Sequence, residues 1–307
     1  MLLINDPQDA PPGPKVVAVG SFDGLHLGHQ HLLRQALQEA HAQHMPLLVY
    51  TFDPPSKVFM KGEGFLTDLS EKTELLRGLG VEIALIVPFN EEFARRDKGE
   101  FLEDLRGLEA RLIYVGEDFR FGRGRTGGLE DLATVAPIRV LPLLELPQGL
   151  TSRPEWVNGP VKSSRIRELL KVGDVEGAGL LLGRPYSARG IVVEGDHLGR
   201  TLGFPTANLQ VSAMKVLPLG VYAVRVQTHE GKYAAVANVG YRPTLGGQVL
   251  RFEVHLFDFE GDLYGQELTV EFVRKVRDET KFASLEELKA QIARDAQAAR
   301  AALSRFA

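Results

Sequence analysis

The chain has 307 residues, 44% of them apolar and 25% charged, a length and balance suited to two globular domains rather than one core. It has no cysteine, which excludes disulfides, thiolate nucleophiles and cysteine-ligated zinc, and its net charge of −4 argues against a chain-wide footprint for nucleic acid. No apolar run reaches the roughly 18 residues of a membrane helix and residues 1–15 lack the basic and apolar regions of a signal peptide, so the expected setting is the cytoplasm, with small molecules as partners and neither nucleic acid nor membrane.

Along the first half, short apolar runs at 15–19, 46–52, 83–89, 111–115 and 138–144 read as buried strands. Helical stretches at 30–43, 71–79 and 99–108 separate them. This alternation predicts a Rossmann-like α/β domain with a parallel sheet. Residues 173–186 are glycine-rich and read as a joining segment. After Ser187 the texture changes to alternating strands at 188–195, 220–228, 231–240, 251–259 and 266–276, with glycine turns between them. That spacing predicts a small antiparallel β-barrel. Leu285, Leu288, Ile292, Ala296 and Ala299 recur near helical period and predict a terminal α-helix. The expected domains are 1–182 and 183–307.

The ten residues GSFDGLHLGH, Gly20 to His29, lie between the first strand and the first helix. Ligands of open α/β sheets bind at the carboxyl ends of strands, and a helix N-terminus suits phosphate. Gly20, Gly24 and Gly28 let a backbone approach a phosphate closely. The stretch is neither the dinucleotide fingerprint G-x-G-x-x-G nor the P-loop G-x-x-x-x-G-K-[ST], and it carries no lysine. It carries His26 and His29 instead, whose imidazolium groups can bond a triphosphate and the charge that develops on it. A metal shared by His26, His29 and His31 is an alternative on the residues alone.

GSFDGLHLGH resembles the H-x-G-H signature of the nucleotidylyltransferase superfamily, in the form carried by bacterial FAD synthetases. Class I aminoacyl-tRNA synthetases share a related signature, but no K-M-S-K-S-like loop is present here. The resemblance implies nucleotide contacts from Gly20, Phe22, Asp23, Gly24, His26, Gly28 and His29, with His26 and His29 catalytic. Residues 66–81 and 89–105 are similar to helices of the same family. VGEDFRFGRGRTG (115–127) resembles its G-x-[DN]-F-x-F-G loop, which implies flavin contacts from Asp118, Phe119 and Phe121. In VKSSRIRELL (161–170), Ser163 or Ser164 is expected to cap a helix whose first turn holds Arg165 and Arg167. Cations there oppose the helix dipole by a few tenths to about 1 kcal/mol, which a bound anion would offset. The family reads I-S-S-T-R-I-R at this place, so the resemblance assigns Ser163, Ser164, Arg165 and Arg167 to nucleotide; Lys162 and Ser164 depart from its pattern. Pro55 departs too, standing where relatives usually carry histidine.

GDHLGRTLGFPTANL (195–209) resembles the riboflavin kinase P-T-A-N motif and the glycine-rich flap before it. The resemblance assigns Gly195, Gly199, Arg200 and Gly203 to nucleotide, and Thr206 and Asn208 to Mg²⁺. A hydroxyl and an amide carbonyl are hard oxygen ligands of the kind Mg²⁺ takes. Residues 217–226, 235–244 and 252–266 look like the same kinase, which assigns Asn238 and Arg277 to flavin. Strand alternation puts Phe252, Val254 and Leu256 on one face and Glu253 and His255 on the other. The resemblance makes Glu253 the base for the flavin's terminal ribityl hydroxyl.

Together these motifs identify the chain as similar to the bifunctional riboflavin kinase/FAD synthetase family. The barrel is then expected to convert riboflavin and ATP to FMN, and the first domain to convert FMN and a second ATP to FAD and pyrophosphate. The phosphate of FMN, with a second pKa near ~6, is already a charged nucleophile, so the first site needs no base. A different reading makes the barrel a non-catalytic flavin binder fused to a nucleotidylyltransferase for another substrate. A third has the arginines within 111–125 bind RNA.

Overall fold

The computed structural model describes residues 1–146, 159–195, 203–244 and 247–304. It separates into two compact units, Met1–Ser163 and Ser164–Ala307.

The first unit runs β1 (Leu2–Ile4), β2 (Lys15–Val19), α1 (Leu27–Ala42), β3 (Leu47–Asp53), α2 (Ser56–Lys61), α3 (Leu69–Gly78), β4 (Ile83–Pro88), α4 (Glu91–Arg95), α5 (Lys98–Gly107), β5 (Ala110–Gly116), α6 (Leu129–Ala133) and β6 (Ile138–Leu141). The strands form one parallel sheet in the order β1-β4-β3-β2-β5-β6. Every residue of β2 is buried, as expected of a central strand covered on both faces. Val17, Leu48, Leu85 and Ile113 face a core with α5, while Val16, Val49, Ala84 and Leu112 face one with α1. Carboxylate caps fix the helix starts: Asp68 with Glu71, and Asp97 with Glu100, form reciprocal capping boxes. After β4 the chain returns to the opposite side of β2 to form β5. The loops leaving β2 and β5 therefore emerge side by side at the switch in strand order, where open α/β sheets bind ligands. The edge strand β1 was not expected; with three residues and Leu2 and Leu3 exposed, it carries no periodic signal.

The second unit holds α7 (Ser163–Lys171, which begins at the division), α8 (Val175–Leu182), β7 (Tyr186–Val193), β8 (Ala207–Gln210), β9 (Gly220–Gln227), β10 (Lys232–Thr244), β11 (Gly247–Leu256), β12 (Glu267–Arg277) and α9 (Leu285–Leu303). The strands close an antiparallel barrel in the order β10-β11-β8-β7-β12-β9. The glycine-rich joining segment is in fact the helix α8. Asp174 accepts the Gly177 N–H as its cap, Val175, Ala178, Leu181 and Leu182 are buried, and Gly183 ends it at φ +70°. On α9 the buried positions are Asp295, Ala299, Ala302 and Leu303, whereas Leu285 is exposed, so the expected stripe holds only toward the C-terminal end.

Candidate active sites

The first site is the turn from β2 to α1. Phe22 (φ 46°) and Leu25 (φ 37°) hold left-handed backbone, as does Gly24 (φ 81°) between them. Each non-glycine there costs on the order of 1 kcal/mol or more, and burial of both side chains to 1% exposure holds the turn in place. Asp23 does not reach outward with both oxygens. Its Oδ1 accepts the N–H groups of Leu66 (2.9 Å) and Thr67 (3.2 Å). Gly24 N–H donates to Thr67 Oγ1, and Ser163 Oγ–H donates to the Asp23 carbonyl.

The spacing H-x-G-H has a local cause. His26 is the N-cap of α1, its Nδ1 accepting the His29 N–H at 3.3 Å. An accepting Nδ1 leaves the proton of the neutral ring on Nε2. The ring folds back so far that a Cβ on Gly28 would lie 3.3 Å from it. It stacks on His29 with centroids 3.6 Å apart, and Phe22 meets His29 edge-on at 5.2 Å. Burial first, then the neighbouring His26, Lys72 and Lys57, pushes the His29 pKa well below the usual imidazole value. This corrects the expected imidazolium pair: before a polyanion arrives, His29 is neutral. Its Nδ1 is buried with no hydrogen-bond partner among the described residues. His31 faces solvent and pairs with Gln35, and no group of three or more His, Asp or Glu among the described residues could hold a metal.

The helix α7 runs from Ser163, and the hydroxyl of that serine donates to the Asp23 carbonyl. Ser164, Arg165 and Arg167 belong to the second unit, where Arg167 is buried at 5% exposure rather than displayed. After Pro55, the N-cap residue of α2, Ser56 Oγ meets Ser21 Oγ at 2.9 Å.

The loop after β5 presents less aromatic surface than its sequence suggests. Phe121 is buried against Phe101 and Phe119, and a Cβ on Gly127 would collide with its ring. Phe119 is half-buried on the same core, and Asp118 is exposed. The Arg123 N–H donates to the Arg96 carbonyl and docks the loop on the junction of α4 and α5. A notch of about 60 Å³ opens there between Phe89, Phe93, Phe101 and Gly122. Sequence reading missed Phe89 and Phe93, which the FNEEF stretch encodes as ordinary core residues.

The second site is a cavity of about 440 Å³ in the barrel unit. It gathers Thr206, Asn208, Asn238, Glu253 and Arg277, all expected from the sequence. The register explains why: Glu253 of β11 is the direct partner of Asn208 on β8 and of Asn238 on β10. Directly opposed residues project from the same face, so the three side chains form a row across neighbouring strands. The expected alternation along β11 holds, with Phe252, Val254 and Leu256 buried. His255 Nδ1 meets the Pro205 carbonyl at 2.7 Å and ties down the PTAN segment. Gly195 is backed by the Asn208 carboxamide so closely that a Cβ would collide with it. Gly203 sits at φ +87°, where only glycine rests easily. Gly199 and Arg200 lie outside the described residues.

Arg277 is less available than expected. Its Nε and Nη2 donate to Asp295, Nη1 donates to the Asp278 carbonyl, and the guanidinium lies 5.6 Å from the Phe282 ring centre. Arg251, which sequence reading passed over, also lines the cavity, its Nη1 3.6 Å from a Glu253 oxygen.

Comparison with known proteins shows the family. A riboflavin kinase family model matches residues 182–303, and an FAD synthetase model matches residues 8–143. The bifunctional riboflavin kinase/FMN adenylyltransferase of Escherichia coli K12 is 40% identical over 309 residues, covering 97% of this chain and 95% of its own. The chain belongs to the bifunctional riboflavin kinase/FMN adenylyltransferase family. It phosphorylates riboflavin to FMN with ATP, and transfers AMP from ATP to FMN to give FAD and pyrophosphate. The enzyme of the same name from Bacillus subtilis is 37% identical, covering 92% of this chain and 91% of its own. A solved structure from Streptococcus pneumoniae, described as a macrolide-efflux protein, shares the fold with a TM-score of 0.85 and 34% identity, covering 97% and 98% of the two chains. None of the described helices in this family member is long and apolar enough to cross a membrane.

Proposed function

We propose that the two reactions divide between the two sites, with AMP transfer at the turn from β2 to α1 and riboflavin phosphorylation in the barrel cavity. The row Asn208–Glu253–Asn238 beside Thr206 is the observation that carries this division. A neutral alcohol needs a positioned base in phosphoryl transfer. Glu253 takes the proton of the ribityl hydroxyl as its oxygen bonds to the γ-phosphorus and ADP leaves. Thr206 and Asn208 supply hard oxygens beside that base and fit Mg²⁺, which when bound there would neutralise charge on the ATP phosphates. Arg277 and Asn238 hold the flavin.

At the first site, an FMN phosphate oxygen bonds to the α-phosphorus of ATP and pyrophosphate leaves. The attacking group is already anionic, so the site has only to position and to neutralise. The α1 N-terminus, His26 Nε2–H and His29 do this. In this reading the functional division falls at 182/183, close to the start of the riboflavin kinase match at residue 182, although compactness assigns α7 and α8 to the barrel unit. Both reactions are assigned to the cytoplasm.

The test separates the two activities in the full chain. His29→Ala should stop FAD formation from supplied FMN and leave riboflavin phosphorylation intact. Glu253→Gln or Asn208→Ala should do the reverse. Loss of both activities from either change, in folded protein, would refute the division. A barrel that only bound flavin would yield no ADP from riboflavin and ATP.

A further inference from the structure

The turn from β2 to α1 contains no lysine, yet the fold brings one to it. Lys72 of α3 is 0% exposed, and its ammonium donates to the Phe52 carbonyl at the end of β3 (2.7 Å) and to the Ser21 carbonyl inside the turn (3.2 Å). Thr51 Oγ1–H donates to the same Ser21 carbonyl at 3.1 Å. Two residues further on, Asp23 is held by Leu66 and Thr67, the residues that lead into α3. The turn is thus clamped by α3 and the residues leading into it, with Thr51 of β3 beside them, and the cation of that clamp lies within electrostatic reach of His29.

A buried ammonium is an expensive fastener. Burial lowers its pKa to about 8, and the carboxylates of Asp23 and Asp53 only partly oppose this. A neutral donor would hold two carbonyls without that penalty. What a neutral donor cannot do is add positive potential behind a turn that receives a polyphosphate, where a low dielectric magnifies each charge.

We propose that Lys72 is a positioning residue for AMP transfer, setting the Ser21–His26 turn through the Ser21 carbonyl and supplying fixed positive potential beneath the ATP phosphates. The inference rests on the reading of that turn as the adenylyltransferase site.

The experiment uses the full chain with two assays, FMN plus ATP to FAD, and riboflavin plus ATP to total FMN and FAD. Lys72→Met should raise KM for ATP in FAD formation about tenfold or more, the scale of one charge-assisted contact, and leave riboflavin phosphorylation within about twofold. Lys72→Arg should recover part of the loss. In the unaltered enzyme, kcat/KM for ATP in FAD formation should fall above pH about 8, and this alkaline limb should be missing from Lys72→Met. The titratable groups around the ammonium are Asp23 of the turn, Asp53 of β3 and His29 of α1, with Lys57 of α2 acting on His29. None of them has an ordinary pKa near 8, so the limb reports Lys72. If Lys72→Met fails to fold, the alkaline limb of the unaltered enzyme and the Lys72→Arg variant decide. An unchanged KM in Lys72→Met, or a flat profile from pH 7 to 9, overturns the proposal. FAD formation that survives His29→Ala would instead overturn the site reading beneath it.

Discussion

His26 grips the helix that carries His29: its Nδ1 accepts the His29 N–H while the two rings lie stacked 15° from parallel. One imidazole therefore caps α1 and lines the site at once. These roles separate by substitution. His26→Asn keeps a good N-cap and loses the ring, whereas His26→Ala loses both. His26→Ala should lower the stability of the first unit by about 1 kcal/mol, and His26→Asn by much less. Both should slow FAD formation by a similar factor. Urea unfolding beside a pyrophosphate-release assay reads the two effects; a loss of activity that tracked stability would leave His26 with the cap alone.

The neutral His29 makes both stability and ATP binding depend on pH. Its folded pKa lies well below the usual value because burial, and then the neighbouring His26, Lys72 and Lys57, disfavour its charge. Above about pH 6.5 both folded and unfolded chains hold neutral imidazole. As pH falls from there, the unfolded chain takes up a proton that the folded chain refuses, so stability drops until the folded pKa is reached. His29→Gln should flatten this acid slope. A polyphosphate beside the ring reverses the balance and raises the pKa, so ATP binding near pH 6 should take up protons. Calorimetry in buffers of different ionisation enthalpy measures that uptake, and His29→Gln should lose most of it.

Gly195 illustrates a constraint that composition hides. It gives way to the Asn208 carboxamide, so any Cβ must push that side chain off its row with Glu253. Gly195→Ala should cut FMN formation by tenfold or more and leave FAD formation from supplied FMN unchanged. If the variant phosphorylates riboflavin at the normal rate, Asn208 is not held where catalysis needs it.

Much of this was legible from spacing. The apolar run 15–19 forms β2 at the centre of the sheet, and the alternation of Phe252, Val254 and Leu256 by itself orients Glu253 to the opposite face. The stacking of His26 on His29 follows from a three-residue step over a glycine at a helix start. Other features rest on distant partners and left no local trace. Lys72 sits in the amphipathic pattern of an ordinary helix, and only the tertiary fold turns it toward Ser21. Phe121 looks like exposed aromatic surface until Gly127 folds beneath its ring. The glycines of 173–186 lower helix propensity and predict a joining segment, but the Asp174 cap and the buried leucines override them.

Arg277 and Asp295 provide the last test, because the pair joins cavity and scaffold. Asp295 is 4% exposed on α9, accepts from Arg277 Nε and Nη2, and also accepts from Gln291 Nε2 at 2.8 Å. Such a buried carboxylate holds the guanidinium plane at a set angle in the cavity wall, as a fork-to-fork pair does. Asp295→Asn keeps the volume but leaves the cation without its counter-charge. The second unit should lose about 3 kcal/mol, the usual scale for breaking one side of a buried pair. Riboflavin KM should rise while the ATP KM of the same reaction holds, if Arg277 holds the flavin as proposed. Asp295→Glu should restore stability only in part, because the longer side chain moves the plane of Arg277. If Asp295→Asn lowered stability and left riboflavin KM untouched, Arg277 would be scaffold alone, and flavin contact would have to come from Asn238 and its neighbours on β10.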